Sequence, residues 1–161
     1  MLYVKSDPSI DNLTLLLFKL IKVIFSKILT NGMKRSKKFL LGWKKFVELR
    51  GEEEVKNLIK PLEEVCPDLV RFSMEFTLAD IWTREVLDYK TRELITIAVL
   101  TALGGRDRHV KDHIRIGLRN GIKKEEILEV MIHLAAYAGF PVALNGAFLA
   151  KEVFEEFKKS A

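Results

Sequence analysis

An all-α fold is what this sequence predicts, and three observations carry the prediction. No stretch alternates apolar and polar residues with period two for long. No Asn-Gly or Asp-Gly lies between β-branched runs, as a tight hairpin would need. From Lys34 onward, apolar residues recur at three- and four-residue spacing between recognisable helix starts and stops.

The elements follow in order. Leu13 to Leu29 is apolar but interrupted by Lys19, Lys22 and Lys27, and its longest unbroken apolar run is Leu15 to Phe18. A membrane-spanning helix needs about 20 apolar residues, so this stretch reads as amphipathic. Three readings stand for it: an extra helix packed on the domain or on a partner subunit, an interfacial membrane helix through residues 13–29, or translated sequence ahead of a start at Met33. The packing helix is the preferred one. The leader carries acids and is followed by no small-x-small cleavage site, which argues against a signal peptide. Residues 1–32 are thus expected to be an extension, and 33–161 the domain.

Lys34 to Leu49 is an amphipathic helix that Gly51 stops. Glu52 to Val65 opens with three acids, as the helix dipole prefers, and is expected to break at Pro61. Pro67 starts a helix that continues over Asp68 to Leu78. Ala79 to Leu87 is a connection containing Ile81 and Trp82. Asp88 caps a helix from Tyr89 to Leu103. Its stretch Leu94 to Leu103 is apolar nearly all round, the mark of a central buried helix. Gly104-Gly105 ends it. Arg108 to Arg119 comes next, stopped by Asn120-Gly121. Lys124 to Ala138 has Glu125 and Glu126 in its first turn and Gly139 after its end. Pro141 opens the last helix, Val142 to Lys158.

Composition bounds the function. The chain has 161 residues, 48% hydrophobic and 30% charged, the balance of one globular domain and not of a disordered one. A single cysteine, Cys66, excludes an intrachain disulfide, a Cys-x-x-Cys redox pair and a multi-cysteine zinc site. It suits a reducing compartment, hence the cytoplasm. Net charge is +5, and the excess is local: Lys34, Arg35, Lys37, Lys38, Lys44, Lys45 and Arg50, with Lys27 just before, face one acid, Glu48. A basic-surface binder is one reading of that run. A solvated helix face is the other, and no nucleic-acid partner is expected.

Histidines titrate near neutral pH and are the first candidates for chemistry. His113 falls inside the apolar stripe Val110, Ile114, Gly117, Leu118, where an imidazole needs a partner or a pocket. A satisfied core histidine is the alternative. His109 and His113 stand at i and i+4, half of a zinc site, but HVKDH lacks the glutamate of a His-Glu-x-x-His motif, and no metal is expected. His133 shares a stripe with Glu126, Val130 and Tyr137, suited to a subunit contact or a pocket wall. Glu93 lies in the first turn of the most apolar helix, serving its dipole or acting as a partly buried base. Arg84 and Arg92 bracket that region and could fork onto a substrate carboxylate, or form surface ion pairs with Asp80, Glu85 or Asp88.

Three stretches in order, IWTREVLDYKTRELITIAVLTALGG, HIRIGLRNGIKKEEILEV and HLAAYAGFPVALNGA, resemble the carboxymuconolactone decarboxylase family. The resemblance runs from about Lys38 to Phe157. It implies an alkylhydroperoxidase D-like helical bundle, a homo-oligomer (trimer or hexamer), and cofactor-free loss of carbon dioxide from a small lactone carboxylate in aromatic-compound breakdown. One redox-active branch of the superfamily places Cys-x-x-Cys four residues before a histidine. That histidine matches His113, whereas Arg106 and His109 occupy the cysteine positions, so thiol-dependent peroxide reduction is excluded. The acid of that branch's proton relay matches Glu93. The resemblance places His113, Glu93 and His133 in catalytic roles and Trp82, Arg84, Arg92 and Tyr137 around the substrate. A stress-linked oligomer without lyase activity, or a basic-surface binding protein, is the alternative.

Overall fold

A computed structural model describes residues 35–160. The expectations for the 1–32 extension, the 13–29 helix with its membrane contact, and a start at Met33 lie outside the described residues.

Among the described residues the chain is helical throughout, with no strand. Helix α1 (Lys37–Arg50) buries Phe39, Gly42 and Leu49. Helix α2 (Glu52–Val65) buries Val55 and Ile59 and runs through Pro61 without the expected break. The carbonyl that loses its donor there is that of Asn57, which is exposed like Pro61, so water can satisfy it. Helix α3 (Pro67–Phe72) does not continue as a regular α-helix to Leu78. It widens into a π-helical segment, Ser73–Ile81, closed by the Trp82 amide donating to the Thr77 carbonyl at 3.0 Å. The connection is correspondingly shorter than Ala79 to Leu87. Buried Met74, Leu78 and Ala79 face α1, the main packing partner of this segment.

The second half is α4 (Tyr89–Leu103), α5 (Asp107–Arg119), α6 (Lys124–Tyr137) and α7 (Phe140–Ser160). Asp88 caps α4 as expected, its Oδ1 accepting from the Thr91 amide at 2.7 Å. Gly104 and Gly105 end α4 at φ 65° and 64°. One expectation for α4 fails: it is not buried all round. Glu93, Ile97 and Thr101 are buried, but Ile95, Val99 and Leu103 lie exposed along one face. The helices of a single chain cover only part of its circumference.

Two cores result. One joins Ile97, Val110, Ile114, Ile127, Met131, Ala150 and Val153 across α4 to α7. The other joins Phe39, Leu49, Val55, Ile59, Val70 and Met74, with Ile116 of α5 reaching into it. Tyr89 packs against both. An ion network adds to the junction: Arg50, its side chain nearly buried, donates to Glu54 at 2.8 Å and to Asp112 at 2.9 Å, and Arg119 also meets Glu54. Lys38 pairs with Asp80, and Lys45 with Glu48. The basic run is thereby partly neutralised. No helix among these residues is long and apolar enough to cross a membrane.

Candidate active site

His113 stands on the inward stripe of α5, and Glu93 near the start of α4. The fold brings them together. His113 Nδ1 lies 2.6 Å from Glu93 Oε1. Glu93 is 1% exposed and the His113 side chain 23%. With Glu93 ionised the carboxylate can only accept, the ring donates its Nδ1 proton, and Nε2 is left for other work. Gly117, one turn after His113, lets the Ile122 side chain pack close beside this pair. A Cβ there would stand 3.2 Å from Ile122 Cδ1 and 3.6 Å from Glu93 Cγ. The stripe residues Val110, Ile114 and Gly117 are buried as their spacing predicts.

Trp82 and Arg84 form a second group. They line a cleft of about 340 Å³ between α1 and the turn before α4, with Lys44, Lys45 and Tyr89. The Trp82 and Tyr89 rings lie 6.1 Å apart and tilted by 47°. The Tyr89 hydroxyl donates to the Ile116 carbonyl at 3.3 Å. Burial, reinforced by the nearby negative charge of Glu93, pushes that phenol far above its ordinary range. Arg92 supports the turn: its Nη2 donates to the Arg84 carbonyl at 2.9 Å, while its Nε is buried without a hydrogen-bond partner among the described residues.

His133 and Tyr137 form a third group. Their rings lie 4.8 Å apart on the outer face of α6. His133 edges an apolar groove of about 440 Å³ between α4 and α6, floored by Leu94, Ile95, Ala98, Val130 and Leu134. Tyr137 is exposed. The charge of Glu93 links the first group to Tyr89 of the second, and His113 is not among the residues lining either of these two clefts. His109 is exposed. Among the described residues no three His, Cys, Asp or Glu side chains cluster as metal ligands would.

Sequence reasoning missed Lys44 and Tyr89 as parts of a site. Lys44 reads as one more exposed cation on a basic helix, and only the packing of α1 beside the 82–87 turn makes it part of a wall. Tyr89 reads as the first residue of a helix. The one signal was a second aromatic seven residues after Trp82, across a turn.

The pattern of the Carboxymuconolactone decarboxylase family matches residues 67–152, a span holding Trp82, Arg84, Glu93, His113 and His133. A 4-carboxymuconolactone decarboxylase from Acinetobacter baylyi is 36% identical over 109 residues, covering 68% of this chain and 81% of that protein. A nitrosuccinic acid decarboxylase from Metarhizium robertsii is 24% identical over 128 residues, covering 79% of this chain and 88% of that protein. An uncharacterised 15.0 kDa protein from Paracoccus denitrificans is 27% identical over 99 residues, covering 61% and 74%. With an all-helical body, a family pattern across its second half and a 36% identical relative, the chain belongs to the carboxymuconolactone decarboxylase family.

Proposed function

We propose that this protein is a cofactor-free carboxy-lyase of the 4-carboxymuconolactone type, acting on a small lactone carboxylate in the breakdown of aromatic compounds. The observation that carries the reading is the 2.6 Å contact between His113 and the fully buried Glu93 carboxylate. Two relatives named as decarboxylases, from a bacterium and a fungus, support the reaction class. In decarboxylation the bond from carbon to the carboxylate breaks, carbon dioxide leaves, and the electron pair passes into the conjugated lactone carbonyl. A proton must then reach carbon. A buried carboxylate stabilises the imidazolium that donates it and fixes the ring so that Nε2 is the donor. Solvent then reprotonates the ring. His133 serves in support and Tyr137 in substrate binding, both from the outer face of α6. Trp82, Arg84 and Arg92 serve in substrate binding, and the protein works as a homo-oligomer, a trimer or hexamer, in the cytoplasm.

The contact of His113 with a buried carboxylate also fits a second reading, a family member without lyase activity in which the ring satisfies the Glu93 charge. Carbon dioxide release from a panel of lactone carboxylates, with His113→Asn in parallel, tests both. On the lyase reading the substitution lowers turnover by roughly a hundredfold or more, with little change in melting temperature. Normal turnover with a large fall in melting temperature ends the catalytic assignment. No release by the native chain across the panel favours the second reading.

A further inference from the structure

Tyr89, Glu93 and Ile97 follow one another at intervals of four on α4, so their side chains share one face of that helix. Opposite them α5 runs the other way. The Tyr89 hydroxyl donates to the Ile116 carbonyl at 3.3 Å, Glu93 meets His113 at 2.6 Å, and Ile97 packs in one core with Val110. The partners on α5 descend from 116 to 113 to 110 as those on α4 ascend. We propose that Tyr89 is a positioning residue for the His113–Glu93 pair, its hydroxyl fixing the rotation of α4 against α5 so that the carboxylate meets Nδ1.

One hydrogen bond between two helices leaves them free to roll about it. A second, one turn away, removes that freedom, and the apolar contact of Ile97 with its core cannot, because apolar packing is non-directional. The Ile116 carbonyl is a firm anchor. It also accepts from the Asn120 backbone amide at 3.0 Å and from Asn120 Nδ2 at 2.9 Å, and that same Nδ2 donates to the Leu49 carbonyl of α1 at 3.0 Å. Three helices thus meet at one carbonyl. The Tyr89 ring is itself held, packed against both cores and beside Trp82. Its phenol keeps its proton across the neutral range, since burial and the Glu93 charge both retain it, and so it stays a donor. Glu93 is 1% exposed and has no water to turn to, so any roll of α4 is felt at His113 Nδ1. That the pair delivers a proton to a substrate rests on the lyase reading above; its positioning by Tyr89 does not.

Nuclear magnetic resonance of the full chain carrying isotope-labelled histidine tests the proposal. The His113 Nδ1 proton, assigned by its loss in His113→Asn, is followed in the native chain, in Tyr89→Phe and in Ile59→Val. Tyr89→Phe keeps the ring and removes the hydroxyl. Ile59→Val lowers stability from α2, which supplies none of the three pairings between α4 and α5. In Tyr89→Phe the proton signal should move upfield and exchange with solvent about fivefold faster or more, the scale of one lost hydrogen bond, while Ile59→Val leaves it in place. A signal unmoved in Tyr89→Phe overturns the proposal, and so does an equal change in both variants. If Tyr89→Phe does not fold, the native chain decides: the Tyr89 hydroxyl proton should exchange slowly enough to be observed and show a through-space contact to Ile116, and a hydroxyl lost to rapid exchange overturns the proposal. On a substrate that releases carbon dioxide, Tyr89→Phe should lower kcat about fivefold and leave KM within a factor of about two. If His113→Asn loses turnover while the His113 proton is unmoved in Tyr89→Phe, the lyase reading stands and the positioning role falls. If the native chain releases no carbon dioxide while the proton moves in Tyr89→Phe, the positioning role stands and the lyase reading falls.

Discussion

At the scale of single residues, the junction between the two cores rests on three groups that are expensive to bury and are each given a partner. Glu93 has His113, Arg50 has Glu54 and Asp112, and Tyr89 has the Ile116 carbonyl. Tyr89 makes the clearest pH prediction. Burial raises its folded-state pKa above the ordinary tyrosine value, so the folded chain holds the phenol proton more tightly than the unfolded chain does. Above the ordinary pKa of about 10 the unfolded state binds fewer protons, and stability falls as pH rises. Tyr89→Phe removes the proton and with it this component of the alkaline loss. The variant should be about 1 kcal/mol less stable at neutral pH, for the lost hydrogen bond, and the gap should close between pH 10 and 12. Melting curves of both proteins across that range decide it. A gap that stays constant with pH means the phenol is not held as described.

At the scale of elements, what could be read from sequence was local chemistry, and what could not was tertiary demand. Asp88 as a cap and Gly51, Gly104-Gly105, Asn120-Gly121 and Gly139 as stops act within a few residues of themselves, and each stands where expected. The pairing of His113 was half legible: an imidazole on an apolar stripe needs a partner, but nothing in the spacing says which residue of another helix supplies it. Pro61 inside α2 and the π-helical segment Ser73–Ile81 were not legible. The first is tolerated because it faces water. The second is imposed by packing, since Met74, Leu78 and Ala79 reach the core at spacings of four and five. Gly42 of α1 shows how tight that packing is. A Cβ built there would lie 1.9 Å from the Met74 carbonyl oxygen, a backbone atom with no side-chain torsion to relieve it. Gly42→Ala, which favours an exposed helix by about 1 kcal/mol, should here cost about 3 kcal/mol. Chemical denaturation reads it directly, and an unchanged or raised midpoint contradicts the close crossing of α1 over the π-helical segment.

At the scale of the whole molecule, rows of apolar side chains stand exposed among the described residues. Ile95, Val99 and Leu103 of α4 are 47%, 51% and 60% exposed, and Leu144 and Phe148 of α7 are 56% and 64% exposed. Each set repeats every four residues, so each is a stripe along one side of its helix, and α4 packs against α7. Scattered apolar residues on a surface need no explanation, whereas rows of them on adjoining helices do. The expectation of an α4 buried on every side and its exposed stripe in one chain are reconciled if a second subunit covers that stripe. Closed symmetry lets copies of one chain do this. Light scattering at low micromolar concentration should therefore give a mass that is a multiple of 18.5 kDa, three- or sixfold. Val99→Glu places a charge in the middle of the α4 stripe and outside both clefts. In a lone chain it would sit in water and change stability by no more than about 0.5 kcal/mol. In a covered stripe it must be desolvated without a partner, and it should shift the protein toward lower mass by at least an order of magnitude in dissociation constant. A native mass near 18.5 kDa, or a Val99→Glu protein of unchanged assembly, would show that another surface does this work or that none does.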